Sequence, residues 1–228
     1  MQFLYVKSCG ERTLSIDGEA FAHLCQSRRA KVGSTQALRN LRDDTLYTYH
    51  IESISRKNAT LLLESSQILP NTPQHFSHLI WAMTTPQTIY KALPHLNELG
   101  LGKLSLYFGR FSQGGVRLDE GRIERILIES CQQCGRSSLC QVEMLDDFHT
   151  ALECYPHASV LDFGGEVLQT RAQAISALKE GVFIGAEGGF SSQERETFAA
   201  QNRKIYGVDS TLILRSQSAA MAILAKGI

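Results

Sequence analysis

At 228 residues the chain is long enough for one or two domains with full hydrophobic cores. Hydrophobic residues make up 43% and charged ones 20%, which excludes a disordered chain; a formal net charge of +0 excludes a uniformly basic nucleic-acid binder. No apolar run approaches the roughly 20 residues of a membrane span. Met1-Gln2-Phe3-Leu4-Tyr5-Val6 lacks the basic stretch and long apolar core of a signal peptide, so a cytoplasmic location is expected.

Up to about Glu64 the pattern predicts short strands: Phe3 to Val6, Leu14 to Ile16, Gln36 to Leu41, Leu46 to Ile54 and Ala59 to Leu63. Alternation in Leu46-Tyr47-Thr48-Tyr49-His50-Ile51 marks a half-buried antiparallel strand, and five short strands suggest a small barrel over residues 1–70. Within it, residues 20 to 42 hold Arg28, Arg29, Lys31, Arg39 and Arg42 and no acid. Such a segment supplies phosphate contacts or is a solvated surface whose counter-charges lie elsewhere. Pro70-Asn71-Thr72-Pro73 then breaks the chain as a linker.

From residue 71 to 228 strands alternate with helices, the pattern of a parallel sheet covered on both faces. His78 to Met83 is an apolar strand, Pro86 opens a helix reaching Glu98, and Pro94 is expected to kink or split it. Lys103 to Phe108 is the next strand. Ile123, Ile126, Leu127, Ser130, Cys131 and Cys134 recur at helical spacing up to Gly135. Val160 to Phe163, Val182 to Ile184 and Ile205 to Val208 follow as strands, and Ser216 to Lys226 is an alanine-rich helix. The six cysteines fit a reducing compartment as free thiols. Cys131-Gln132-Gln133-Cys134, near Cys140, reads either as a zinc or redox pair or as helix packing; with no second such pair, no metal is expected.

The most informative stretch is Phe183-Ile184-Gly185-Ala186-Glu187-Gly188-Gly189-Phe190-Ser191-Ser192-Gln193-Glu194. An apolar strand meets three glycines around one acid, and Ser191 with Glu194 forms a capping box that opens a helix. Strand, glycine turn and helix start together let bare backbone touch a ligand.

This loop resembles that of the small-subunit rRNA uridine-N3 methyltransferases, a family of the knotted SPOUT superfamily. The similarity extends to Asn97-Glu98-Leu99-Gly100, to Phe111-Ser112 with Gly115-Val116-Arg117-Leu118, and to Glu129-Ser130-Cys131-Gln132-Gln133-Cys134-Gly135-Arg136. His23-Leu24 with Arg29, and Ile213-Leu214-Arg215, are also similar to family segments. Departures are Ala186 in place of proline, Asp209-Ser210 in place of Leu-Gly, Leu212 in place of arginine, Gln217-Ser218 in place of Glu-Thr, and His95 near a usual lysine.

The resemblance implies an α/β SPOUT methyltransferase domain over 71–228, with a parallel sheet and a C-terminal trefoil knot. It implies a preceding PUA-like β-barrel that binds RNA, and a homodimer acting on 16S rRNA or the small ribosomal subunit. It further implies S-adenosylmethionine at Phe163, Gly164, Ile184, Gly185, Glu187, Gly188, Gly189, Ser210, Leu212, Ile213 and Leu214. Arg215 and Glu187 are the catalytic candidates; Arg28, Arg29, Lys31, Arg110 and Arg136 are the RNA-binding ones. Gln217 carries no carboxylate and cannot be a base. Two other readings stay open: a nucleotide-binding α/β enzyme, weakened because no Lys-Ser/Thr follows the glycine loop, and a non-catalytic RNA-binding protein of this fold.

Overall fold

The computed structural model describes residues 2–27, 29–209 and 211–228, so Arg28 and Ser210 lie outside the described residues. The chain forms two compact units, Met1–Thr72 with Ile128–Leu139, and Pro73–Leu127 with Cys140–Ile228.

In the first unit five strands, β1 (Leu4–Tyr5), β2 (Thr13–Ile16), β3 (Thr35–Arg39), β4 (Thr45–Ile54) and β5 (Ala59–Ile68), lie in the order β1-β3-β4-β5-β2. Among the described residues no ladder joins β1 to β2, so the pairing is that of a five-stranded sheet with two edges. The alternation of β4 buries Tyr49 and Ile51 completely against Leu14, Leu24, Leu38 and Leu61. Tyr49 is satisfied inside: its hydroxyl accepts from the Gly10 amide at 2.8 Å and donates to the Glu11 carbonyl at 2.7 Å. β5 runs five residues past the expected Leu63, because backbone pairing with β4 carries the polar Glu64-Ser65-Ser66-Gln67 that no hydrophobic pattern could reveal. A short helix, α1 (Gly18–Ala22), passes into a π-helical turn at His23–Ser27.

The segment Ile128–Leu139 counts with this unit because its groups bond there. The Gln132 side chain accepts from the Tyr5 amide at 2.8 Å, and its carbonyl accepts from the Gln2 amide at 2.9 Å. Arg39, part of the basic segment, is drawn inside instead of facing solvent: it donates to the carbonyls of Asp44 and Leu69 and lies over the Phe3 ring.

The second unit alternates strand and helix: β6 (His78–Ala82), α2 (Pro86–Glu98), β7 (Lys103–Tyr107), α3 (Glu120–Cys134, which ends within the first unit), β8 (Gln141–Met144), α4 (Phe148–Cys154), β9 (Ser159–Val167), α5 (Arg171–Glu180), β10 (Val182–Ile184), α6 (Ser192–Ala200), β11 (Ile205–Gly207) and α7 (Ser216–Ala225). All six strands are parallel, in the order β11-β9-β10-β6-β7-β8. β8, a four-residue edge strand, escaped the sequence reading. The helix break expected at Pro94 does not split α2, whose buried Ile89, Tyr90, Leu93 and Leu96 straddle the proline. No helix among the described residues is long and apolar enough to cross a membrane.

Aromatic rings of β7, β10, α4 and α6, with Phe190 just before α6, fill the core: Phe148 meets Phe183 and Phe198 edge-on, Phe190 meets Phe198 edge-on, and Phe183 lies tilted against Phe198. Arg203 closes the end of α4, donating to the carbonyls of Leu152, Tyr155 and Ala158 at 2.8–3.1 Å.

Across the adjacent strands β6, β7 and β8 runs a partly buried polar network. Ser105 donates to Glu143 at 2.5 Å, which leaves its oxygen to accept from His78 Nε2 at 2.6 Å. Tyr155 and Lys103 also bond Glu143, Lys103 at 3.0 Å. Burial, helped by the Lys103 charge, depresses the His78 imidazolium to about 4. Burial pushes Glu143 up, but its hydrogen bonds from Ser105, Tyr155 and Lys103 win and hold it below the usual carboxylate range. The unfolded chain protonates a histidine near pH 6.5 and the native state resists until about 4, so stability present above 6.5 is lost as pH falls through that window. About 3 kcal/mol should disappear between pH 7 and pH 4 through His78. Denaturant titrations of wild type and His78→Gln at both pH values check this: the variant should lose that much less, and equal acid losses would remove His78 as the cause.

Candidate cofactor site

The carboxyl half of β9, which runs four residues past the expected Phe163 and so carries Phe163, Gly164 and Gly165 within the strand, converges with the loops after β10 and β11 and the start of α7 around a cavity of about 490 Å³. Ligands of open α/β sheets bind at this end, where strand order reverses. Here the reversal is the insertion of β10 between β9 and β6. The cavity gathers Phe163, Gly164, Ile184, Gly185, Glu187, Gly188, Gly189, Leu212, Ile213 and Leu214, all candidates from the sequence. Ser210, the remaining one, lies outside the described residues. Sequence reasoning missed Asp162, Val208, Ser216 and Ala219, which also line it.

Glycine is required here by close backbone approach. A Cβ at Gly165 would stand 2.4 Å from the Tyr206 carbonyl carbon, and one at Gly207 would stand 2.8 Å from the Gly165 oxygen. β9 and β11 thus touch through glycine at the cavity wall. Within the glycine loop, a Cβ at Gly185 would stand 2.8 Å from Gly189, and the Gly189 amide bonds the Ala186 carbonyl at 2.9 Å, closing the turn on itself. At Gly188 a Cβ would meet the Phe111 ring at 3.1 Å, so the loop after β7 is seated on the glycine loop.

The capping box forms as expected. Ser191 Oγ accepts from the Glu194 amide, and Glu194 Oε2 accepts from the Ser191 amide at 2.7 Å. The other oxygen of Glu194, which is buried, accepts from the Arg110 amide at 2.9 Å. This one carboxylate therefore ties the β7 loop to the start of α6. Asp162, its side chain 8% exposed, holds Arg195 of α6 through two contacts of 2.6 and 3.1 Å. That bond, ahead of the opposing effect of burial, raises the Arg195 guanidinium above its ordinary range.

Charged candidates are placed unequally. Glu187 is exposed at the cavity rim. Arg215 is the exposed N-cap of α7, its backbone extended and its side chain making no cap bond; it stands between the lining residues Leu214 and Ser216. Arg29, with φ 50, and Lys31 are exposed in the first unit, and Arg110 is exposed in the second. Arg136, at 7% exposure, is buried, unlike Arg29, Lys31 and Arg110. Cys131 and Cys134 form no disulfide, their thiols donating to the carbonyls of Ser138 and Cys131, and no group of three metal-ligating side chains stands together among the described residues.

A parallel sheet with a glycine-walled cavity at its switch point defines a ligand-binding α/β protein, and the chain belongs to the RNA methyltransferase domain family, which matches residues 70–226. It is 44% identical to ribosomal RNA small subunit methyltransferase E of Helicobacter pylori strain J99, over 98% of this chain and 97% of that protein. The protein of the same name from strain 26695 is 42% identical over the same shares. In fold it matches a ribosomal RNA small subunit methyltransferase E from Neisseria gonorrhoeae bound to S-adenosyl methionine. That match has a TM-score of 0.79 at 19% identity, covering 99% of this chain and 96% of that one.

Proposed function

We propose that this protein methylates N3 of a uridine in the 16S rRNA of the small ribosomal subunit, with S-adenosylmethionine as methyl donor. The observation that carries the reading is the glycine-walled cavity at the carboxyl ends of β9 to β11, in a chain 44% identical over nearly its full length to a small-subunit rRNA methyltransferase. We further propose a cytoplasmic homodimer whose C-terminal segment is knotted and whose N-terminal residues 1–70 act as a PUA-like RNA-binding barrel, ahead of the catalytic domain at 71–228.

The cavity fits the donor. Its volume lies within the range of small-molecule sites, roughly 300–1,000 Å³. Backbone at Gly164, Gly185, Gly188 and Gly189 can approach polar groups, while Ile184, Ile213 and Leu214 offer an apolar wall to a purine. The bound donor supplies an electrophilic methyl group on a sulfonium, so this chain's task is chiefly alignment. Arg215 stabilises negative charge on the uracil carbonyls as N3 gives up its proton. Glu187, the rim carboxylate, accepts that proton; Gln217 cannot.

Single-turnover transfer to small subunits, with nucleoside mass spectrometry of the product, tests the reading. N3-methyluridine is the expected product, and cofactor binding without transfer to any small-subunit RNA would overturn it in favour of a non-catalytic RNA binder. Arg29 and Lys31 are proposed to neutralise phosphates. Reversing both to Glu should weaken RNA binding at least 10-fold in low salt and flatten the salt dependence by about two phosphate contacts. Unchanged affinity and slope in binding titrations at two salt concentrations would leave the segment a solvated surface.

A further inference from the structure

Trp81, the single tryptophan of the chain, is wholly buried on β6, in register with Ile184 of β10. Its indole N–H donates to Ser216 Oγ, and Ser216 Oγ donates to the Gly185 carbonyl. The directions are forced by chemistry. An indole nitrogen only donates, so the serine oxygen must accept there, and its one proton is left for the carbonyl. Ser216 is 6% exposed and is the first residue of α7. One hydroxyl thus joins β6, the glycine loop after β10 and α7 at the wall of the cavity.

The consequence falls on a single peptide. Because the peptide unit is planar, holding the Gly185 carbonyl also fixes the direction of the Ala186 N–H, and both residues line the cavity. Gly185 cannot recover the same position by packing alone: it carries no side chain, and a Cβ there would stand 2.8 Å from Gly189, so no larger residue can replace it. We infer that Ser216 is a positioning residue, holding the Gly185–Ala186 peptide in its cofactor-binding orientation through the bond that Trp81 completes. This rests on the cavity being the S-adenosylmethionine site.

Removing the hydroxyl leaves a buried indole donor and a buried carbonyl both without partners, the costly kind of deletion. Titration calorimetry with S-adenosylmethionine should therefore show Ser216→Ala binding about 10-fold more weakly, and Ser216→Thr within twofold of wild type. Trp81→Phe, which leaves the Gly185 bond intact but releases Ser216, should weaken binding less. The lone indole gives a second readout: one ¹⁵N–¹H resonance, displaced in the free protein by Ser216→Ala, restored by Ser216→Thr, and shifted in wild type by cofactor. A folded Ser216→Ala variant with wild-type affinity would overturn the inference, as would Ser216→Thr as weak as Ser216→Ala. Should Ser216→Ala not fold, wild-type affinity in Trp81→Phe together with an indole resonance indifferent to cofactor would overturn it equally. A wild-type protein that fails to bind S-adenosylmethionine overturns the cofactor reading beneath, a result these variants cannot mimic.

Discussion

Arg215→Ala should lower single-turnover methyl transfer to small subunits by about 10²-fold or more, the size of losing one preorganised contact to developing charge. Cofactor affinity should stay within a few-fold of wild type, because Arg215 stands beside the cavity and does not line it. The side chain is exposed and makes no cap bond to its own helix, so the substitution removes a cation without disturbing α7. Arg215→Lys should recover part of the rate, since a point charge replaces a planar fork. Wild-type transfer rates in Arg215→Ala would take this residue out of the mechanism.

Gly165→Val is expected to be the most damaging change at the cavity wall. The new Cβ would stand 2.4 Å from the Tyr206 carbonyl carbon and 2.6 Å from its oxygen, and neither belongs to a side chain that could swing away. β9 and β11 must part, which should cost about 2–3 kcal/mol or more of stability. Cofactor affinity should fall on the order of 10- to 100-fold, because that contact of β9 with β11 forms part of the cavity wall. Neighbouring Gly164 gives the stability control: it has open space around it and φ +72, so Gly164→Ala carries only the backbone strain, about 1 kcal/mol. Denaturant melts on the two variants and a cofactor titration of Gly165→Val decide. If Gly165→Val is as stable as Gly164→Ala and binds cofactor like wild type, the contact of β9 with β11 is not what shapes the site.

What the sequence made legible was local. The strand–glycine–helix run at 182–194 and its capping box are written in adjacent residues, and each formed where the spacing placed it. The basic segment was legible as composition but not as geometry, because nothing local tells that Arg39 turns inward to two carbonyls while Lys31 faces out. The burial of Arg136 was hidden for the same reason: it is decided by the fold around residues 128–139, distant in sequence from the strands of that unit. The contacts between Gly165 and Gly207, and along the Trp81–Ser216–Gly185 chain, span 31 to 135 residues and leave no periodic trace. Similarity to a known family supplied the cofactor loops that composition and periodicity could not.

The strand order also sets a timetable for biosynthesis. β9 pairs with β10 and β11, both of which emerge after it, and with no strand that precedes it. As the chain leaves the ribosome, β6, β7 and β8 can associate at once, whereas residues 159–167 must wait with both edges bare until Val182–Ile184 slots between them and β6. Unpaired strand edges of this kind template aggregation. Nascent chains in which residues 159–167 have emerged and Val182–Ile184 have not should thus be the ones that most need chaperone protection.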